Sequence, residues 1–331
     1  MYKVGIVGTG RIGFLLEYDP LRIKPCTHIG GIIKNKKLKI TTACDINKNR
    51  LNLFGKKFNV KNLYTNYKQM LKQEKIDILV VSTWTNSHKE ITIEAAKKGI
   101  KLIVCEKPMA FTTKECKAMV AACKKYNTIL VINHERRYDP MYRKVKKMLD
   151  QKIIGDVRTV IANVLTSISF KKKSFIIDKS SLLHDGTHLI DISLFLFGKP
   201  KRIRGFIPSY RKDTAYGIIE FRNGIILFLE AGGDRKYFNF ELDIQGTEGR
   251  IIVGNEYLEL WKRKKSPRYT GFFELEQQKF PKFPDKNQFI EEYKEVTALL
   301  DGKIKIPTSS GDDGMKTIEL IEKLTKKRFL F

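Results

Sequence analysis

The chain has 331 residues, which is long enough for two domains of ordinary size. Hydrophobic residues make up 42% of it, but no apolar run approaches the roughly 20 residues that span a bilayer. This composition excludes a helical membrane protein. The N-terminal stretch MYKVGIVGTG predicts a strand and a glycine turn rather than a signal peptide, so we expect a cytoplasmic protein.

The net charge of +27 has two interpretations. It permits nucleic-acid binding, but lysine outnumbers arginine, the lysines are spread over helix faces, and no nucleic-acid-binding motif appears. We therefore expect no nucleic-acid partner and no membrane partner. The charge still favours an anionic substrate through long-range steering. The five cysteines form no CxxC pair, which indicates reduced thiols.

Residues 1–134 alternate apolar strands with amphipathic helices, the pattern of a parallel sheet covered on both faces. The predicted strands are KVGIVG, KITTACD, NLY, IDILVVST, KLIVCE and TILVIN. The predicted helices are RIGFLLEY, NKNRLNLFGKKF, SHKEITIEAAKKG and TKECKAMVAACKKY. The sequence therefore predicts an α/β fold with an N-terminal Rossmann domain, a doubly wound parallel sheet.

Residues 135–331 predict an α+β domain with a large, open, mostly antiparallel sheet. The predicted strands are RTVIANVLTSI, RIRGFI, AYGIIEF, IILFLEAG, FNFELDIQG, RIIVG and YLELWKR. Arg222-Asn223-Gly224 is typical of a hairpin turn. The predicted helices are PMYRKVKKMLDQ, LLHDGTHLIDISLFLFG, NQFIEEYKEVTALLDG and DDGMKTIELIEKLTKK, and KKSPRYTGFFELEQQKFPKFPDKN reads as a loop.

The glycine motif GTGRIG directly follows the first strand. Gly8 is expected to make the turn, Gly10 to admit a pyrophosphate to the backbone, and Gly13 to pack a helix on the strand. The intervening Arg11 and Ile12 complete this predicted cofactor loop. The free N–H groups and the dipole of a helix that begins here favour phosphate.

Asp45 ends the second strand, where a carboxylate can accept both ribose hydroxyls, and this favours NAD. Lys48 and Arg50 follow closely, so NADP stays open. Asp45 lies farther from the glycines than is usual, and an apparent insertion at residues 18–37 accounts for the difference. This insertion, which contains His28, is expected either to fold over the cofactor or to serve in assembly.

Glu106-Lys107-Pro108 follows the apolar strand KLIVC, at the strand end where open parallel sheets bind ligands. A partly buried lysine ammonium in that place can stabilise a substrate alkoxide as hydride leaves. A surface lysine in a loop explains the same residues equally well.

These motifs together make the chain resemble the glucose–fructose oxidoreductase/inositol dehydrogenase (Gfo/Idh/MocA) family over nearly its whole length. The resemblance is carried by GIVGTGRIG, VVSTWTNSHKEITIEAAKKGIKLIVCEKPMA, VINHERRYDPMYRKVKKML, HDGTHLIDISLFLFG and IQGTEGRI. It implies a two-domain NAD(P)-dependent oxidoreductase for sugars, cyclitols and their derivatives. It also implies a homodimer or homotetramer.

The resemblance also assigns roles to individual residues. It implies cofactor contacts for Gly8, Gly10, Gly13, Asp45, Thr83, Asn86, His88 and Glu106. It makes Lys107 and His188 the catalytic residues, both touching substrate. The family usually has Asp four residues before that histidine, whereas this chain has His184 there and moves the acid to Asp185. The family also often has Thr-Pro where this chain has Thr83-Trp84.

His184 and His188 lie one helical turn apart in the predicted helix, and three interpretations compete. They resemble half of a metal site, but no third ligand is evident, and we expect no metal. They could be core histidines without chemistry. We favour a proton relay in which His188 takes the substrate hydroxyl proton and His184 or Asp185 assists, because a histidine pKa lies near neutral.

Arg136, Arg137 and Tyr138 follow the sixth strand. We expect Arg137 to bind a substrate carboxylate or phosphate bidentately, with a solvated basic turn as the alternative. The sequence as a whole predicts an NAD(P)-dependent dehydrogenase acting on CH–OH groups. The alternatives are a non-catalytic NAD(P)-binding regulatory protein on the same fold and a metal-dependent hydrolase or lyase.

Overall fold

The computed structural model describes residues 1–167, 180–207, 214–233, 235–280 and 287–325. The chain forms two compact units, Met1–Asp139 with Asp285–Ile318, and Pro140–Pro284 with Glu319–Phe331. The predicted second domain was one continuous segment from residue 135. The structure instead returns residues 285–318 to the first unit, because a late helix buries its apolar face in the first core.

Within the described residues, the strands are β1 Tyr2–Val7, β2 Leu38–Cys44, β3 Asn62–Tyr64, β4 Ile78–Val81, β5 Leu102–Glu106, β6 Ile129–Asn133, β7 Val157–Leu165, β8 Pro200–Phe206, β9 Thr214–Phe221, β10 Ile226–Gly232, β11 Asn239–Gly246, β12 Gly249–Gly254, β13 Leu258–Lys265 and β14 Phe273–Gln278. The α-helices are α1 His28–Ile33, α2 Lys48–Phe58, α3 Tyr67–Gln73, α4 Thr85–Lys97, α5 Thr113–Lys125, α6 Pro140–Asp150, α7 Ser181–His184, α8 Gly186–Phe197, α9 Gln288–Leu300 and α10 Gly311–Thr325. Short 3-10 helices span Leu15–Tyr18 and Glu135–Arg137. No helix of the described residues is long and apolar enough to cross a membrane.

The first unit contains a six-stranded parallel sheet in the order β3-β2-β1-β4-β5-β6. Strands β4 and β5 are buried at every position, and β1 is buried from Val4 onward. This confirms the predicted doubly wound sheet. The helix α3 between β3 and β4 was not predicted.

The first crossover differs from its prediction. The stretch RIGFLLEY does not form one α-helix; it makes a turn and the 3-10 helix Leu15–Tyr18, and α1 begins only at His28. The N–H groups of His28 and Ile29 donate to the carbonyls of Ile12 and Gly13, both at 3.1 Å. Residues 16 and 17 would make these bonds in an unbroken α-helix.

Residues 16–27 therefore form an excursion from the crossover helix. After it, His28 makes the backbone hydrogen bond that residue 16 would make in an unbroken helix, so the helical register is kept. The Glu17 carboxylate fastens the excursion to the start of α1, since it accepts from the Cys26 N–H at 3.1 Å and the Thr27 hydroxyl at 2.7 Å. Thr27 in turn caps α1 by accepting from the Gly30 N–H. The predicted insertion at residues 18–37 was thus placed wrongly at its C-terminal end, because residues 28–33 are the crossover helix itself.

Helix α1 packs closely against α9. A Cβ atom on Gly31 would lie 2.7 Å from the Phe289 carbonyl oxygen and 2.7 Å from the Tyr293 ring. The Asn35 side chain donates to the Tyr293 carbonyl at 2.8 Å. Gly31 is therefore required for the distance between these helices, and this packing holds α9 to the first unit.

The second unit contains an eight-stranded sheet in the order β14-β13-β12-β11-β7-β10-β9-β8. Among its described strands, only β7 and β10 pair in parallel, which confirms a mostly antiparallel sheet. The predicted hairpin turn is present, with Gly224 at φ +86° between β9 and β10. The predicted loop was wrong in part, since FELEQQ pairs with β13 as β14, while residues 281–286 of that loop lie outside the described residues.

Replacing Gly31 by Ala should lower the free energy of unfolding by about 1–3 kcal/mol, because the added methyl group meets a backbone carbonyl that cannot rotate away. Urea denaturation measures this difference. The matched control is Lys34→Ala at the C-cap of the same helix, where the side chain is exposed. Equal midpoints for the two variants would contradict the α1–α9 packing.

Candidate active site

The glycine turn after β1 has the geometry that each glycine was predicted to need. Gly8 has φ +99°, and a Cβ atom there would lie 2.5 Å from the Ser82 carbonyl oxygen. A Cβ atom on Gly13 would lie 2.5 Å from the Gly8 carbonyl oxygen, so Gly13 is needed for close packing. A Cβ atom on Gly10 would meet nothing within 4 Å, which leaves open space in front of the turn.

The same turn presents unused hydrogen-bond donors. Within the part of the chain that the structure describes, the backbone N–H groups of Gly10, Arg11, Ile12 and Gly13 donate to no protein atom. Consecutive unpaired N–H groups at the start of a helical turn form a site for an anion. The open space at Gly10 and these donors together fit a pyrophosphate.

Asp45 lies just beyond β2 and is held by its neighbours. One carboxylate oxygen accepts from the N–H and the hydroxyl of Thr9, at 2.8 and 2.9 Å. The other accepts from the Asn47 N–H at 2.8 Å and from Arg50 at 2.9 Å. Burial acts to raise the pKa of Asp45, but these hydrogen bonds, with Arg50 the largest, lower it below its ordinary value.

The loop after β4 joins the loop after β5 through a buried histidine. His88 is fully buried on α4, with Nδ1 3.0 Å from the Pro108 carbonyl and Nε2 3.0 Å from the Thr83 carbonyl. Burial lowers the pKa of His88, and the carbonyl oxygens of Thr83 and Pro108 act in the opposite direction. Thr83 is partly exposed and Asn86 is exposed. The prediction that His88 touches the cofactor stays a prediction, and its position favours support of the two loops.

Glu106 ends β5, and its buried carboxylate is fixed by three donors. Oε1 lies 2.9 Å from His28 Nε2 and accepts from the Asn133 amide at 2.6 Å. Oε2 accepts from the backbone N–H of Lys107 at 3.1 Å. Burial acts to raise the pKa of Glu106, but His28, then Lys107 and Asn133, outweigh it and lower the pKa.

Lys107 follows directly, is partly exposed, and precedes a cis peptide bond to Pro108. Strands β1, β4 and β5 run parallel, so their carboxyl ends lie at one edge of the sheet. The glycine turn, Thr83 and Lys107 each follow one of these ends. The structure therefore gathers three of the predicted site elements at the edge where such sheets bind ligands.

Arg137 does not have the environment predicted for a substrate ligand. It is buried, donates to the Thr308 carbonyl at 2.8 Å, and lies 3.4 Å from the Asp313 carboxylate. These partners could not be predicted from the sequence, because they come from a segment far along the chain. Substrate binding by Arg137 stays a prediction, and its contacts with Thr308 and Asp313 hold residues of the first unit together.

His184 and His188 lie in the second unit on separate helices. The predicted single helix divides at Asp185 into α7 and α8. His184 Nδ1 lies 3.0 Å from the Asp185 carboxylate, and both side chains are partly exposed. His188 is nearly buried in the first turn of α8. The unexpected acid at position 185 is thus paired with the histidine that precedes it.

Neither the described residues nor their geometry suggest a metal site. No group of three or more His, Cys, Asp or Glu side chains that could hold a metal ion occurs among the described residues. Sequence reasoning missed Asn133 and Tyr293, and left His28 without a role. Asn133 ends β6, so the strand-end rule could have found it, whereas Tyr293 lies on α9 without a local signal.

A six-stranded parallel sheet of this order, with an anion cradle after β1 and an acid after β2, defines a Rossmann dinucleotide-binding domain. Residues 2–134 match the oxidoreductase family with an NAD-binding Rossmann fold, and residues 142–252 match the Gfo/Idh/MocA C-terminal domain. The chain belongs to the Gfo/Idh/MocA oxidoreductase family, which confirms the resemblance seen in its sequence. It is a dehydrogenase that uses NAD.

Relatives extend over most of the chain. The inositol 2-dehydrogenase/D-chiro-inositol 3-dehydrogenase of Shouchella clausii is 27% identical over 84% of this chain and 82% of its own length. The myo-inositol 2-dehydrogenase of Thermotoga maritima is 22% identical over 96% and 93%. The WlbA dehydrogenase from Bordetella pertussis, solved with NADH and UDP-GlcNAcA, shares the fold, with a TM-score of 0.79, 21% identity, and coverage of 98% and 94%.

Replacing Gly10 by Ala should weaken NADH binding at least about tenfold, because a methyl group in the open space keeps the pyrophosphate from the four N–H donors. Nicotinamide fluorescence measures the affinity. Thermal unfolding should be unchanged, since the new Cβ meets no atom within 4 Å. Wild-type affinity in this variant would place the pyrophosphate elsewhere.

Proposed function

We propose that this protein oxidises a secondary alcohol of a sugar, a cyclitol or a derivative of one, or reduces the corresponding ketone, with NAD(H). The observation that carries the proposal is the position of Lys107. It follows β5 at the same edge of the parallel sheet as the anion cradle after β1.

Lys107 has the chemistry that removal of hydride from an alcohol requires. NAD, when bound, supplies the acceptor for the hydride. The Lys107 ammonium donates a hydrogen bond to the substrate hydroxyl oxygen and stabilises the negative charge that develops there. The carboxylate of Glu106 holds the backbone at Lys107 through its N–H, so the side chain starts from a fixed point.

His188 is proposed to take the hydroxyl proton, a role that suits a histidine near neutral pH. This assignment rests on the match of Gly186-Thr187-His188 to the family motif. The Asp185 carboxylate beside His184 supports the pair as a unit that orients substrate or passes the proton on. We assign His184 and Asp185 jointly to the place of the family's single carboxylate.

The substrate class is inferred from relatives named for inositol, D-apiose and levoglucosan. The non-catalytic alternative finds no support there, since these relatives are dehydrogenases. A net charge of +27 favours an acidic or phosphorylated member of the class. A homo-oligomer and a cytoplasmic location remain predictions, which light scattering and cell fractionation would test.

Replacing Lys107 by Met should lower kcat by at least about two orders of magnitude, because the donor that stabilises the alkoxide is lost. Wild type is first assayed with NAD against myo-inositol, levoglucosan, D-apiose and a UDP-linked uronic acid. The variant is then measured on the best of these.

The matched control is Lys101→Met, which makes the same change at the exposed residue that precedes β5, at the opposite edge of the sheet. It should keep wild-type turnover, and both variants should bind NADH. Near-normal turnover in Lys107→Met would remove the assignment. Loss of NADH binding in that variant would move the role of Lys107 from chemistry to cofactor binding.

A further inference from the structure

The buried carboxylate of Glu106 contacts His28, the residue that directly follows the excursion of residues 16–27. His28 has no exposed surface, and its ring lies between the Glu106 carboxylate, 2.9 Å from Nε2, and the Tyr293 hydroxyl, 2.8 Å from Nδ1. Burial raises the pKa of Tyr293 well above its ordinary value, so the hydroxyl keeps its proton. It can therefore donate to Nδ1, which leaves the Nε2 proton for Glu106.

This arrangement joins three segments that are distant in the chain. His28 comes from α1, Glu106 from β5 and Tyr293 from α9. Because the excursion of residues 16–27 returns in register, His28 stands in the first turn of the crossover helix, one residue past its cap. The register of α1 therefore decides which side chain faces Glu106.

We propose that His28 is a positioning residue: it holds Glu106 as a carboxylate in one orientation and so fixes the strand end that carries Lys107. The inference rests on the proposed function, since Lys107 is taken as the group that meets substrate. Among the described residues, the hydrogen-bond and ring contacts of His28 are with Glu106, Asn133, Tyr293 and Phe289.

The buried acids near Glu106 explain why its carboxylate needs a donor such as His28. The charged and titratable groups that act on it or feel its charge are His28, Lys107, Tyr293, Glu292, Glu135, His88 and Cys105. Two of them, Glu135 and Glu292, are carboxyl groups whose pKa burial raises. A carboxylate among buried acids needs strong donors to stay ionised, and His28 is the largest of those that lower the pKa of Glu106.

Two amide substitutions test the contributions of the two His28 ring nitrogens separately. In His28→Gln the side-chain amide reaches the place of Nε2 and can still donate to Glu106. In His28→Asn the amide is one carbon shorter, reaches the place of Nδ1, and leaves Glu106 without that donor. We expect the Gln variant to stay within about threefold of wild-type kcat and the Asn variant to lose about tenfold to a hundredfold, with KM changed much less.

The titration of Glu106 gives a readout that needs neither cofactor nor substrate. Glutamate labelled with ¹³C at the side-chain carboxyl is followed by NMR against pH, and Glu106→Gln identifies the signal. In wild type the pKa lies below its ordinary value, so the carboxylate is ionised well below neutral pH. In His28→Asn burial is no longer offset, so the midpoint and the acidic limb of the kcat profile should both move to higher pH.

Asn35→Ala is the control for a merely structural effect. It removes a hydrogen bond from the residue that follows the α1 C-cap to the Tyr293 carbonyl on α9, but leaves the ring of His28 untouched. It should lower thermal stability without moving the Glu106 midpoint or kcat. If His28→Asn does not fold, His28→Leu replaces it, because an apolar side chain of similar size also removes the Nε2 donor and should move the midpoint in the same direction.

An unmoved Glu106 midpoint with wild-type kcat in the folded Asn or Leu variant of His28 would overturn the role of His28. So would a loss of kcat that Asn35→Ala reproduces. Failure of the proposed function has a different signature, namely a Lys107→Met variant that still turns over substrate. Loss of activity in Lys107→Met beside an active His28→Asn would leave that function standing and remove only this inference.

Discussion

The buried carboxylate of Glu106 is the constraint to which much of the first unit is fitted. An ionised group out of water is costly unless donors surround it, and here they come from His28, Asn133 and the Lys107 N–H. Those donors lie on α1, at the end of β6 and after β5. The register of α1 and its packing on α9 together bring His28 beside Glu106.

The presence or absence of protein partners distinguishes structural polar groups from ligand-binding ones along this edge of the sheet. Arg137 is charged, but its partners Thr308 and Asp313 lie at hydrogen-bonding and ion-pair distance, and these contacts fix neighbouring segments. The turn at residues 10–13 shows the opposite condition, with donors that no described atom accepts from. Polar groups without protein partners are available to bind a ligand, whereas groups with partners stabilise the segments around them.

Elements that depend on local residue patterns could be predicted from the sequence, whereas elements that depend on contacts between distant residues could not. Apolar runs and strand ends correctly predicted the parallel sheet, the antiparallel sheet and the position of Lys107, because these depend on side-chain periodicity and chain direction. The loop that contains β14 was misread because FELEQQ becomes a strand only beside β13. The division of α7 from α8 at Asp185 was likewise invisible in a continuous apolar pattern.

The sequence by itself determined the fold class, the glycine cradle, the strand-end lysine and the family, since each depends on residues near one another in the chain. Only the tertiary structure decided what the excursion does, where α9 belongs, and which partners His28 and Arg137 have. The physical reason is that hydrogen bonds to buried charges join residues such as His28 and Tyr293, which lie far apart in the chain and carry no local signal of their pairing.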